Sequence, residues 1–337
     1  MKKAPRVDVF KDALGIGIDV SKAELAIVGL YAKEPLLKII KNNMKAIEVF
    51  LRTLKQAGYV GKIICESTGH YHLQLALVCQ ELGMEIIVLN PLQSSKHSQS
   101  RVRKIKTDPE DALTLATMCI TELHLPKPMV LTASKALIRL KMGQLASLEK
   151  QLQGFRRSYG QYTETYAALG LEESELQLEL GDQLQSLKRL QGRLGKELES
   201  LLIEIAPDDG SHDRLNMIPG YSSMVAGLVA QFDREVKGER SWVAYVGMDI
   251  SVRQSGTWKG TGRLTKRGNA YLRKRLIQAA WGACMNYDYV RAYYDDLKLQ
   301  GRKHKEAHCI IARKLLRIAY QVAVNGKEYD PEIAFSH

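Results

Sequence analysis

The sequence predicts an α/β domain at 12–130, a helical coiled-coil region at 131–206 and a mostly α, basic domain at 207–325. Three observations carry this division. Short β-branched runs alternate with stretches of helical spacing over the first 125 residues. From about 134 to 205 proline is almost absent, and Leu, Gln, Glu and Lys dominate. Finally, positive charge is segregated: residues 251–320 carry 16 Lys+Arg against 4 Asp+Glu, whereas 1–250 carry 32 against 30 and 321–337 carry 1 against 3. One segment of 70 residues therefore holds the whole net charge of +12.

In the first part, 14–20 and 24–30 read as two strands joined by the polar turn Ser21-Lys22, and 36–40 as a third. Helical spacing through Ile47, Phe50, Leu51 and Leu54 predicts a helix over 45–58, with Gly58 to end it. A strand at 62–66, a helix at 71–82, a strand at 85–89 and a helix at 109–123 follow. Three early strands and then two βα units is the order of the ribonuclease-H-like α/β fold. In that fold the first and fourth strands are neighbours.

In the second part, Leu180, Leu184, Leu187, Gln191, Leu194, Leu198, Leu201 and Ile205 step by alternating fours and threes, a heptad seam with one polar position. Gly154, Gly160, Gly170 and Gly181 predict a break between two helices rather than one rod. The seam can close within one chain, as an αα-hairpin, or between chains. The third part opens after the turn residues Pro207-Asp-Asp-Gly210. Leu215 to Ala226 reads as helix, Pro-Gly turn and helix, a helix-hairpin-helix-like segment with backbone N–H groups suited to phosphate. A basic helix at 271–286 and a last helix at 305–324 complete it.

Composition excludes several classes. No apolar stretch approaches the roughly 18–20 residues of a membrane span, and no apolar signal core follows the basic start, so a cytoplasmic protein is expected. The five cysteines include no C-x-x-C pair, which argues for reduced thiols rather than structural zinc. A segment of +12 points to a polyanion, because neutralising phosphates releases counterions. A solubilising surface is the plainer alternative.

Four carboxylates carry the candidate chemistry. Asp19 lies within the apolar run 14–20 and Glu66 ends the run 62–66. Asp108 and Asp111 flank Pro109, which suits the first turn of a helix. Residues three apart on a helix share a face, with Cβ atoms roughly 5–6 Å from each other. If the two strands are neighbours, all four acids converge as hard oxygen ligands for Mg²⁺ or Mn²⁺. Singly, each could be a turn or cap residue, although an acid inside an apolar run is costly unless paired or metal-bound. In the basic part, Ser255 sits in a glycine-rich loop with Arg253, Lys259, Arg263, Lys266 and Arg267 around it, and Arg273 and Lys274 follow. These cations are candidate nucleic-acid contacts. Ser255 itself is either a nucleophile or only a phosphate-contacting hydroxyl.

The motifs Gly17-Ile-Asp-Val-Ser-Lys22, Glu66-Ser-Thr-Gly69, Lys106-Thr-Asp-Pro-Glu-Asp-Ala112 and Ile218-Pro-Gly220 occur together with Gly247…Ser255-Gly256…Lys266-Arg-Gly-Asn269…Leu272-Arg273. Over about 12–320 the chain resembles the DEDD-type insertion-sequence transposases, a family that includes the Piv/MooV-like DNA invertases and bridge-RNA-guided recombinases. The resemblance implies that Asp19, Glu66, Asp108 and Asp111 bind metal in a RuvC-like domain and that Ser255 forms a covalent link to a DNA phosphate. It also implies donor and target DNA and a structured bridge RNA as partners. A homo-oligomer is expected, a dimer and a tetramer on DNA, with the acids of one subunit facing the serine of another in a bacterial or archaeal cell. Two departures stand beside these residues: Ser222 where the family's hairpin has a second glycine, and Gly247-Met-Asp-Ile250 where it often has Gly-Leu-Xaa-Pro. The alternatives are a Holliday-junction-type metal nuclease using water, a DNA invertase of the same family, and a non-catalytic nucleic-acid-binding protein.

Overall fold

The computed structural model describes residues 6–99, 107–232, 238–251, 254–255, 258–259 and 262–335. The chain divides into two compact units, Met1–Leu140 and Lys141–His337.

The first unit opens with a 3-10 turn, Val7–Asp12, and a meander of β1 (Gly15–Val20), β2 (Glu24–Leu30) and β3 (Leu36–Lys41). Then come α1 (Met44–Gln56), β4 (Ile63–Glu66), α2 (Leu73–Glu81), β5 (Ile86–Leu89), α3 (Pro91–Gln99) and α4 (Asp108–Thr121). The strands pair in the order β3-β2-β1-β4-β5. β1 runs antiparallel to β2 and parallel to β4, so the first and fourth strands are neighbours as expected. Asn43 caps α1 by accepting a hydrogen bond from the Ala46 N–H, which is standard N-cap chemistry.

Alternation along β1 and β4 decides what each face meets. Ile16, Ile18, Ile63 and Cys65 join Phe50, Leu51, Leu54, Leu75 and Val78 from α1 and α2 in one core. The opposite face offers Gly15 and Gly17 in β1, Ala26 and Val28 in β2, and Ile64 in β4; α4 lies on it with Ala112, Leu115, Ala116 and Cys119. The glycines are required here. A Cβ at Gly17 would fall 2.1 Å from the Ala112 carbonyl oxygen and 2.2 Å from the Ala116 nitrogen. Helix backbone and strand backbone touch, with no room for a side chain between them.

The second unit takes up the rest of α5 (Ala133–Ala168), followed by α6 (Glu175–Glu204), α7 (Ser211–Asn216), α8 (Ser223–Ala230) and α9 (Glu239–Val246). The break between α5 and α6 comes at Gly170, in the left-handed region at φ +65°, where the Leu171 N–H reaches back to the Tyr166 carbonyl. Gly154, Gly160 and Gly181 stay inside the helices. α5 and α6 pair antiparallel within the chain: Lys141 meets Glu197 at 2.5 Å, Glu149 meets Gln191 at 3.5 Å and Thr163 meets Gln177 at 3.3 Å. Of the heptad seam, Leu184 and Leu198 are buried, whereas Leu180 is exposed.

Four two-residue strands follow: β6 (Ile250–Ser251), β7 (Gln254–Ser255), β8 (Trp258–Lys259) and β9 (Arg263–Leu264). The unit ends with α10 (Ala270–Asn286), α11 (Asp288–Leu299), α12 (His304–Val324) and α13 (Pro331–Ala334). Among the described residues, Trp242 is its largest buried side chain, packed edge-on against Phe232 and Tyr320 at 4.9 and 5.2 Å. The expected hairpin is α7 and α8. At its turn Gly220 has φ +75°, and a Cβ there would stand 2.0 Å from the Ala279 carbonyl oxygen of α10. Ser222 caps α8 by accepting from the Val225 N–H, so the serine at the family's second glycine position has a use of its own. Sequence reasoning missed the opening 3-10 turn, α3, α9, α11, α13 and the four short strands. Among the described residues, the five cysteines are free, four of them buried and Cys309 half-buried. No helix among the described residues is long and apolar enough to cross a membrane.

Candidate functional site

The register Gly17↔Ile64 and Ile18↔Cys65, carried one residue further, sets Asp19 beside Glu66. Asp19 is two residues on from Gly17, and Glu66 two on from Ile64, so both lie on the α4 side of the sheet. On α4, the positions 108, 111, 112, 115, 116 and 119 form one face. Its small residues seat the helix on β1, and the same face carries Asp108 and Asp111 at its first turn. The extended Thr107 at φ −141° and Pro109 at the helix start fix where that turn begins. All four acids are thus brought together.

Their electrostatics agree. The Asp19 carboxyl is pushed up to about 6, first by burial and then by the charges of Asp108, Asp111 and Glu66. Desolvation and like charge act in the same direction, and both favour the neutral acid. Glu66 has a partner that the sequence did not suggest: the Ser94 hydroxyl on α3 donates to its Oε2 at 2.5 Å. Carboxylates are hard oxygen donors, a set that fits Mg²⁺ or Mn²⁺. Among the described residues no three acids, histidines or cysteines stand close enough together to hold a metal ion.

Ser255 is in the second unit, at the inner end of a nested hairpin. β6 pairs with β9 through Ser251↔Arg263, and β7 pairs with β8 through Ser255↔Trp258. For Ser255 and Lys259 only the backbone is described, and Arg253 lies outside the described residues. The root of the hairpin is firmly built. Asp249 accepts a hydrogen bond from the Thr265 hydroxyl, and the Ser251 hydroxyl donates to the Arg263 carbonyl at 3.1 Å. Asp249, which stands between the two residues that depart from the family's pattern, Met248 and Ile250, thus serves to close this loop. Gly247 ends α9 at φ +72° against the Gly268 backbone. The Lys266 N–H donates to the Gly247 carbonyl, and Lys266 itself is held at φ +54°, a conformation uncommon for a residue with a side chain.

The candidate phosphate contacts separate into two groups. Arg263 and Lys266 are exposed beside the hairpin, as is Arg267. Arg273, half-buried, and Lys274, itself exposed, have partners within the chain. The Arg273 guanidinium donates to the Val246 carbonyl at 2.8 Å, and Lys274 pairs with the buried Glu149 of α5 at 2.6 Å. Arg275 binds the same carboxylate.

Comparisons with known proteins match two stretches of the chain separately. A family model described as "Transposase", of the DEDD type, matches residues 16–152, which contain all four acids. A second, "Transposase IS116/IS110/IS902 family", matches 212–295, which contain Ser255. The chain is 23% identical over 342 residues to a Sinorhizobium fredii protein named "Putative transposase y4pF/y4sB", covering 93% of this chain and 85% of that one. It is 27% identical over 163 residues to a Pseudomonas aeruginosa protein named "Probable family 20 transposase", covering 47% of each. With both halves of the fold matched and the acids gathered on one sheet face, the chain belongs to the IS116/IS110/IS902 family of transposases.

Proposed function

We propose that the protein is a site-specific transposase that cuts and rejoins DNA through a covalent serine–phosphate link, with Asp19, Glu66, Asp108 and Asp111 as its divalent-metal site. The observation that carries this reading is the placement of Asp19, partly buried and beside three other carboxylates, where burial first and then the charges of Asp108, Asp111 and Glu66 raise its pKa. A surface cap or turn residue has no need of such crowding, and a cation would relieve it. When bound, Mg²⁺ or Mn²⁺ would neutralise nonbridging phosphate oxygens and steady the departing one. The Ser255 oxygen attacks phosphorus, the serine proton passes to a carboxylate or water, and the displaced sugar oxygen leaves. Rejoining reverses these steps, so bond energy is retained without a nucleotide cofactor. The RuvC-like reading of the first unit is supported by the strand order β3-β2-β1-β4-β5. A structured bridge RNA and assembly into dimers and tetramers complete the proposal, on the family's resemblance.

The decisive experiment uses Ser255→Ala. This variant should bind nucleic acid and fail to cleave or join it, while wild type stopped in mid-reaction yields a DNA strand attached to a peptide containing Ser255. An adduct on another serine, or cleavage by Ser255→Ala at the wild-type rate, would remove Ser255 from the mechanism. Cleavage with no adduct at all would favour a water-using metal nuclease.

A further inference from the structure

The helix after β5 holds a buried hydroxyl against one of the four acids. Glu66 is the last residue of β4 and stands opposite Leu89, the last of β5. The chain then turns directly into α3. Its start is fixed by a reciprocal cap, in which the Gln93 side chain accepts from the Asn90 N–H and the Gln93 N–H donates to the Asn90 carbonyl. One turn in, Ser94 is 6% exposed. Its hydroxyl lies 2.5 Å from Glu66 Oε2 and 3.0 Å from the Pro91 carbonyl oxygen. A hydroxyl has one proton, and the shorter, charge-assisted contact is the stronger. A second clip holds the same helix, where His97 Nδ1 meets Glu122 Oε1 at 3.0 Å.

We propose that Ser94 is a positioning residue for Glu66: its hydroxyl occupies Oε2 and leaves Oε1 as the oxygen offered to a divalent cation. This rests on the reading of the four acids as a metal site. A carboxylate with both oxygens free can rotate about its last bonds or bind through either atom. One held by a buried donor presents a single oxygen in a fixed direction. Partners of this kind set the geometry of metal ligands, and their loss typically weakens metal binding by about 10–100-fold.

The test measures Mn²⁺ binding to full-length protein by calorimetry or electron paramagnetic resonance, without nucleic acid, and the Mg²⁺ dependence of DNA cleavage. Ser94→Ala should weaken Mn²⁺ binding by about 10–100-fold and raise half-saturating Mg²⁺ in proportion. DNA affinity in the absence of metal should not change. Ser94→Thr, which keeps the hydroxyl, should restore most of the Mn²⁺ affinity. Asp19→Asn is the control for the site as a whole. Wild-type Mn²⁺ affinity in Ser94→Ala, with binding lost in Asp19→Asn, overturns the role of Ser94 and leaves the metal site standing. Equal losses in Ser94→Ala and Ser94→Thr assign the effect to packing and also overturn it. If Asp19→Asn binds Mn²⁺ as wild type does, the metal-site reading fails and this inference fails with it.

Discussion

At Asp19, burial and three neighbouring acids act together, and the raised pKa has a consequence for stability. Below about pH 4 the carboxyl is neutral in both folded and unfolded chains, and the folded state has its full advantage. As pH rises through about 6, the folded chain gives up a proton that it held more tightly than the unfolded one, and that advantage is lost. After discounting for solvent at a partly exposed group, the loss is about 1–2 kcal/mol. In EDTA, wild type should therefore melt at lower temperature at pH 7.5 than at pH 5, and Asp19→Asn should show a flatter profile. Identical slopes in the two proteins would mean that Asp19 is not under this strain. Added Mg²⁺ should restore wild type at pH 7.5, because a bound cation favours the ionised carboxylates.

Among the elements, α4 on β1 makes the site, and the contact between them is backbone on backbone. Gly17→Ala drives a methyl group into the Ala112 carbonyl and the Ala116 nitrogen. The expected cost is about 1–3 kcal/mol or more. The helix can only retreat, which carries Asp108 and Asp111 away from Asp19, so cleavage should fall further than stability alone explains. Urea unfolding and cleavage assays at low temperature measure the two effects separately. Gly143 in α5 is the contrasting case, since nothing lies within 4 Å of where its Cβ would be. Gly143→Ala should stabilise the protein by about 0.5–1 kcal/mol. If both substitutions have the same effect, close packing of α4 is not what Gly17 provides.

For the whole molecule, the question is which of its many cations face a partner. Glu149 is buried on α5 and meets Lys274 and Arg275 of α10, which ties the helical hairpin to the helix that follows the serine loop. Glu149→Ala would leave those two cations without their carboxylate; because Lys274 is exposed and Arg275 only partly buried, the cost should be about 1–3 kcal/mol. By contrast, the carboxylate of Lys141–Glu197 is exposed, and that pair should matter little. Nucleic-acid affinity should fall steeply with salt. Arg263→Ala and Lys266→Ala should each flatten the slope of log K against log salt by about one unit. Lys274→Ala should lower the melting temperature and barely change that slope. A slope change at Lys274 equal to that at Arg263 would place α10 on the nucleic-acid face after all.

Much of this was legible in the sequence, for a physical reason: period-2 and period-3.6 patterns are local. Gly-x-Gly-x-Asp in β1, with Ala112, Ala116 and Asp108 on one face of α4, already encodes a strand, a helix and an acid on each. The order of strands and helices followed, and with it the meeting of Asp19 and Glu66. α11 escaped notice although Val290, Tyr293, Tyr294 and Leu297 have helical spacing, and four two-residue strands have no period to detect. Tertiary structure alone decided the rest. Ser94 reaches Glu66 across 28 residues of sequence, and Glu149 reaches Arg275 across 126. Such pairs depend on how separate elements dock, which no short window of sequence carries. That is why the ion pair between Lys274 and the buried Glu149 is visible only in the fold.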